Sequence, residues 1–301
     1  DPGLTFVRGR PIGNIEVTDR TDLAPAAVSA PPRNHLLRDS QWNYDLLHTR
    51  GGHNLRFGAG YDLIHFRQLG DFQANGRYRF SSLQSFLRGQ TRGADLMTPD
   101  SDTDRSWRQH QFFFHAQDKF RPMRSLNLTL GARYEGYTSP SEANGKIATL
   151  RDPFRDTALT VGGPLSDNPS ATNFAPRAGL AWDLRGDGRT VFRAGAAMFF
   201  DLLPSREVTI AGMRVPPFFK RAFLPANTLF PDMAGALAAA RIDSAMDGIA
   251  YDVEQPYVMQ YRAAIEQQLG ASTALEVGYS GSRGMHLLGQ FGDINVAQPE
   301  V

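Results

Sequence analysis

The 301-residue chain contains no cysteine. That excludes disulfide staples and thiolate metal sites, and it suits passage through an oxidising compartment. Charge of one sign is not in excess. Thirty-two Lys and Arg stand against 31 Asp and Glu, a formal net charge of +1, so nucleic acid is not an expected partner. No apolar run approaches the roughly 20 residues of a membrane helix. This does not separate a soluble protein from a transmembrane β-barrel, whose strands alternate and need only about 10 residues each. The first residues, Asp1-Pro-Gly-Leu4, carry no basic head or apolar signal core, so the expectation is a mature chain or a piece of a longer one.

What is present is alternation. In Leu126–Tyr137, LNLTLGARYEGY, Leu126, Leu128, Leu130, Ala132 and Tyr134 share one face of an extended chain. Asn127, Thr129, Gly131, Arg133 and Glu135 share the other, the two-residue period of a strand with one oily and one polar wall. The break Arg121-Pro-Met-Arg-Ser125 joins it to an extended run at 107–120, which makes a hairpin. The same design predicts strands at 36–48 and 55–63 around the Gly51-Gly52 turn, at 174–184 and 190–201, and at 257–269 and 273–281. Between these pairs lie long stretches rich in Pro, Gly, Asn and Asp. They carry a short strand at 72–80, a helical turn at 82–87 and an Ala-rich helix candidate at 233–246.

The strands are about 10 to 15 residues long, against about 5 or 6 in soluble sheets. Tight turns (51–52, 121–125, 185–189, 270–272) alternate strictly with long loops (68–105, 140–172, 202–255). All short turns at one end and all long loops at the other is the design of an outer-membrane barrel. A Greek-key sandwich has no reason to sort its connections so. Arg56, Asp62, Arg133, Glu135, Arg177 and Asp183 all fall opposite the apolar rows, as they must if those rows face lipid. Trp42, Tyr44, Tyr134 and Trp182 lie toward the ends of the read strands, where interfacial girdles sit. Two places resist the pattern: Phe112-Phe113-Phe114 breaks alternation, and 262–268 is too polar for its faces to be assigned.

These segments also resemble a family. Thr49–Gly58, TRGGHNLRFG, is similar to the RG-x-H-x-(L/F)-(K/R)-F-G hairpin of Oar-like TonB-dependent outer-membrane receptors. Gln117-Asp118 followed by LNLTLGARYE resembles their QDxW…LTLNLGLRYE hairpin, with Lys119-Phe120 where the aromatic usually falls. Asn173–Trp182 resembles NFAPRxGFAY, and Thr190–Asp201 resembles TVxRxGYGxFFD. Pro256–Gln260, Gln268-Leu269 and Glu276–Leu287 are similar to PYxQQW…LEVxYVGSRGxHL. The resemblance implies a 22-stranded barrel closed by an N-terminal plug and energised through the plug by an inner-membrane TonB complex. No plug, TonB box or aromatic-ended terminal strand is recognisable in residues 1–301. The chain is therefore expected to be an internal barrel segment, with plug and C-terminal strands outside it.

The search for chemistry yields no catalytic constellation. The histidines, His35, His48, His53, His65, His110, His115 and His286, form no metal motif. His53 reads as a capping or interfacial residue at a tight turn. Asp100-Ser-Asp-Thr-Asp104 has calcium-loop rhythm, but Arg105 stands where the sharp-turn glycine belongs and Gln111 where the bidentate glutamate belongs. A solvated external loop is the better reading. Arg185-Gly-Asp187 reads as a turn and not an adhesion tripeptide. Gly278-Tyr-Ser-Gly281 continues with Ser282, outside the nucleophile-elbow pattern. Gly58-Ala-Gly60 lacks the third glycine of a dinucleotide loop. Val215-Pro-Pro-Phe-Phe219 is either loop packing or a ligand-contacting external loop, packing being favoured.

The expectation is thus an all-β fold: an antiparallel transmembrane β-barrel, eight to ten strands of a larger one, in the outer membrane of a Gram-negative bacterium. It is not expected to be an enzyme, and no catalytic residue, metal or cofactor is assigned. Substrate-binding residues stay unknown. The expected partners are the lipid bilayer, the protein's own plug, the TonB complex through that plug, and an unidentified small solute, glycan or peptide. The expected function is plug-gated uptake of a scarce solute. The alternatives are a passive porin-like channel, a surface adhesin barrel or a soluble all-β hydrolase.

Overall fold

Alternating side chains favour extended backbone, and extended backbone satisfies its polar groups only by pairing with neighbours. The structure, a computed structural model, describes residues 13–18, 34–70, 75–201, 211–230, 236–243 and 246–289. Its strands in chain order are β1 (Asn14–Val17), β2 (Asn34–Arg50), β3 (His53–Leu69), β4 (Arg77–Phe80), β5 (Gly93–Met97), β6 (Arg105–Met123), β7 (Leu126–Tyr137) and β8 (Ser141–Glu142). They continue as β9 (Ala148–Thr149), β10 (Thr160–Val161), β11 (Phe174–Asp183), β12 (Thr190–Phe200), β13 (Arg221–Leu224), β14 (Arg241–Asp243), β15 (Tyr257–Gln268) and β16 (Ala274–Met285). A short α-helix, α1 (Leu83–Leu87), is capped by the Ser82 hydroxyl, which accepts from the Ser85 amide.

Eight of these strands form one antiparallel meander, β16-β15-β12-β11-β7-β6-β3-β2, with the two-residue β8 on the side of β6. The strands outrun their sequence readings at the long-loop end: β3 continues to Leu69 and β16 to Met285. Trp42 and Tyr44 therefore sit mid-strand, because β2 begins already at Asn34; Trp42 stacks on Tyr61 with ring centroids 5.7 Å apart. Pro122 offers no N–H to the ladder. The register between β6 and β7 shifts there, between Phe120 and Met123, which tightens the turn to 124–125.

The Ala-rich stretch predicted as a helix over 233–246 is instead a 3-10 turn at Ala236–Ala239 followed by β14, within what the structure describes of it. The strand predicted over 72–80 is β4 alone; residues 71–74 lie outside the described residues.

The long loops are not loose. β4 and β5 come from the loop between β3 and β6, β13 and β14 from the loop between β12 and β15. With β1 they make a second sheet, β1-β4-β5-β13-β14. Its core is Val17, Tyr78, Phe80, Ala94, Leu96, Ala222 and Leu224. Burial there pushes the Tyr78 phenol up to about 12, because the charged form would lose its water.

Candidate functional site: the polar wall and its cap

The ladder register assigns every strand residue a face. Arg133 pairs with His115 and Ala175, His115 with Gly58, and Gly58 with Asp45. Continuing across the sheet, this face carries Asp39, Gln41, Asn43, Arg56, Asp62, Gln117, Glu135, Arg177, Arg193, Arg262, Glu266 and Glu276, among small residues and a minority of apolar ones such as Leu37, Leu47 and Phe199. The opposite face carries Leu46, Phe57, Phe114, Leu130, Ala178, Leu180, Met198, Ile265 and Val277. Leu130 is 60% exposed and Val277 60%, so no protein layer covers these side chains.

Both places where the sequence was ambiguous resolve on this map. Phe112 and Phe114 lie on the apolar face. Phe113 lies on the polar one, where the Arg133 guanidinium sits 3.8 Å above its ring, a cation–π contact that lets an aromatic live on a charged wall. In 262–268, Arg262 and Glu266 join the polar face and Ala263 and Ile265 the apolar one.

The outward row of β6 meets formal charge only at Arg108 and Asp118, ten positions apart. Ten residues of strand rise about 33 Å, and at a tilt of about 40° cross about 25 Å, the height of the apolar band of an outer-membrane barrel.

The polar wall is wired by ion pairs. Arg56 donates to both oxygens of Asp45, each at 3.1 Å, and His115 Nε2 lies 3.3 Å from the same carboxylate. Arg133 Nε donates to Glu135 at 2.5 Å. Farther round the sheet, Arg193 donates to Glu266 at 2.6 Å and Arg262 pairs with Glu276. Arg56, His115, Gln117, Arg133 and Arg177 border a hollow of about 200 Å³. Three guanidiniums there outnumber Asp45 and Glu135, so the hollow favours an anionic or carbonyl-rich visitor. Gly58 and Gly60 make room for the rings beside it: a Cβ on Gly58 would lie 2.1 Å from the His115 ring, and one on Gly60 2.2 Å from Phe113. These glycines serve a wall and not a dinucleotide loop, since both lie inside β3.

At the long-loop end the same polar face is covered. Trp107 packs with Ile147 and Leu165 from the loop after β7, and with Ile249 from the loop after β12. Tyr137 donates its hydroxyl to Gln255 Oε1 at 2.5 Å. Arg105, 0% exposed, donates to the carbonyls of Gly212 and Met213. The loops thus fold over the charged wall and leave the oily wall bare. An oily exterior and a capped polar interior is the inside-out pattern that lipid demands.

The sequence-level candidates fall into this frame. The three aspartates of 100–104 are each held by a cation: Asp100 by Lys220 at 2.8 Å, Asp102 by Lys146 at 2.6 Å and Asp104 by Arg67 at 2.9 Å. Instead of a merely solvated loop, they tie the three long loops and β3 together. The Lys220 and Lys146 ammoniums hold the Asp100 and Asp102 carboxyls below the ordinary carboxylate value of 3.8. No set of three acidic or His residues is placed to hold a metal among the described residues. His53 Nδ1 lies 2.6 Å from Asp118 and its ring stacks on Phe120, an interfacial role at the short-turn end. Arg185-Gly-Asp187 is a turn in which Asp183 accepts from the Gly186 and Gly188 amides. Ser280 lies inside β16, not on an elbow. Val215 and Phe219 are buried packing residues, the latter against Met97.

One feature escaped the sequence. Asp95, 0% exposed, takes Arg77 and Arg79 from β4 and Arg221 from β13 of the loop sheet. The alternation in Arg77-Tyr-Arg-Phe80 was its only local signal.

A search of curated proteins returned no match. A family model described as the outer membrane beta barrel domain matches residues 9–301, which places the bare apolar wall against the outer-membrane bilayer of a Gram-negative bacterium. By its sheet, its two faces and that match, the chain belongs to the outer membrane beta barrel domain family.

Proposed function

We propose that this chain is an internal segment of the barrel of an Oar-like TonB-dependent receptor, enclosing a plug-gated path for uptake of a scarce solute. The observation that carries this reading is the pairing of a charged lumen wall, with its arginine-lined hollow, with long loops folded over its external mouth. A capped mouth suits capture at the surface followed by gated passage, and the Arg56, Arg133 and Arg177 hollow suits a transient stop along the path. The family motifs quoted above add the plug and the energising complex. The barrel carries out no covalent chemistry; its part is to enclose, select and orient.

A passive channel or an adhesin would use the same wall differently. The test is ion conductance of the full-length protein in planar bilayers. A plugged receptor stays closed until urea loosens its plug, and it retains the periplasmic domain of the energising protein on an affinity column. Steady conductance without urea, together with no retention, would overturn the transporter in favour of the channel. A closed barrel with no retention would favour the adhesin.

A further inference from the structure

The lipid-facing wall carries a polar row that the transport reading does not use. At its long-loop end, Arg38, His65 and Arg108 stand side by side in a single register row across β2, β3 and β6. Neighbouring strands lie about 4.8 Å apart, so the two arginines flank the histidine with their backbones about 10 Å from each other. All three belong to the apolar face: two positions along come Ser40, Leu63 and His110, then Trp42, Tyr61 and Phe112. Arg38 and Arg108 are exposed and have no acidic partner among the described residues. Arg67, the next arginine out on β3, is different, since Asp104 neutralises it at 2.9 Å. Serines at 106 and 141 flank Arg108, and Ser141 spends its hydroxyl on the Arg108 carbonyl at 3.3 Å.

Water would serve two unpaired arginines well at any exposed position. Here they border an oily surface that must be covered by lipid, directly above the Tyr61–His110 pair, whose hydroxyl and Nδ1 are 2.6 Å apart. This is the level of headgroups, and with the long loops external those headgroups belong to the outer leaflet. We propose that Arg38, His65 and Arg108 form a binding site for the phosphate of a phosphorylated glycolipid of that leaflet. Planar guanidiniums grip phosphate oxygens in pairs, and a basic cluster beside the bilayer surface recruits anionic headgroups. The inference rests on the membrane barrel and its orientation, not on the transport cycle.

The test uses the full-length protein in nanodiscs of zwitterionic phospholipid, doped with trace phosphorylated glycolipid or with the same glycolipid after phosphatase treatment. Glycolipid retained per protein is read by mass spectrometry after re-isolation. Two arginines at the membrane surface should enrich the phosphorylated form about thirtyfold over its dephosphorylated partner. Arg38→Ala/Arg108→Ala should bring that ratio close to one while Arg67→Ala leaves it unchanged. Heat-modifiable migration reports that the variants are folded; where the double variant is not, Arg38→Gln and Arg108→Gln are each expected to lower the ratio severalfold. Equal retention of the two glycolipids by the unmodified protein, or undiminished enrichment in the variants, overturns the site. Failure of the unmodified protein to enter discs would instead sink the barrel reading itself.

Discussion

Ala178 and Ala181 lie on the same strand, β11, and point to opposite sides of it. Ala178 is the middle of the outward positions Phe174, Pro176, Ala178, Leu180 and Trp182, and its cross-strand neighbours are Leu130 and Ala196. Ala181 faces the lumen between Asn127 and Arg193. Arginine at 178 removes no packing, since Ala178 is already exposed, so in a soluble protein the change would stay within about 0.5 kcal/mol. In a bilayer the same guanidinium enters the apolar band, where the cost reaches about 2–4 kcal/mol at the midplane. That is about 30- to 700-fold in the folding constant. Arginine at 181 enters water. Its neighbour Arg193 is held by Glu266, so repulsion adds no more than about 0.5 kcal/mol. The assay is urea unfolding in lipid vesicles, followed by tryptophan fluorescence and by the heat-modifiable gel band. Equal effects of Ala178→Arg and Ala181→Arg, or a larger one at 181, would refute the assignment of faces and with it the lipid-facing wall.

Asp95→Asn leaves three arginines crowded without their carboxylate. Because those arginines are a quarter to a third exposed, the cost is expected near the low end for a broken buried pair, about 3 kcal/mol. It should be read as faster hydrogen exchange over 77–97 and 221–224 with the barrel band unchanged. Gln255→Ala strips the Tyr137 hydroxyl of its acceptor and the Asp201 carbonyl of a donor. It should loosen the cap by about 1–3 kcal/mol, detected as new protease cuts within 246–256. For pH, Asp100 and Asp102 have folded values lowered below the ordinary 3.8. Their contribution is therefore complete above about pH 4 and disappears as pH falls through the lower folded values. Hydrogen exchange at 98–105 should stay flat from neutral pH down to about 4, once corrected for intrinsic rates, and rise only below it; a rise near pH 6 would contradict these pairings.

The two-sided wall was legible from residue order alone. A strand turns successive side chains to opposite sides, so Leu126–Tyr137 declares an oily and a polar face before any partner is known, and sorted loop lengths declare a meander. Local order could not place Phe113, because whether an aromatic belongs among charges depends on Arg133 arriving from the next strand. Nor could it tell that Asp95 would gather arginines from 77, 79 and 221, or that Arg38, His65 and Arg108 would share one row. Those groupings join positions far apart in the chain. They follow from ladder register and loop closure, which only the folded sheet decides.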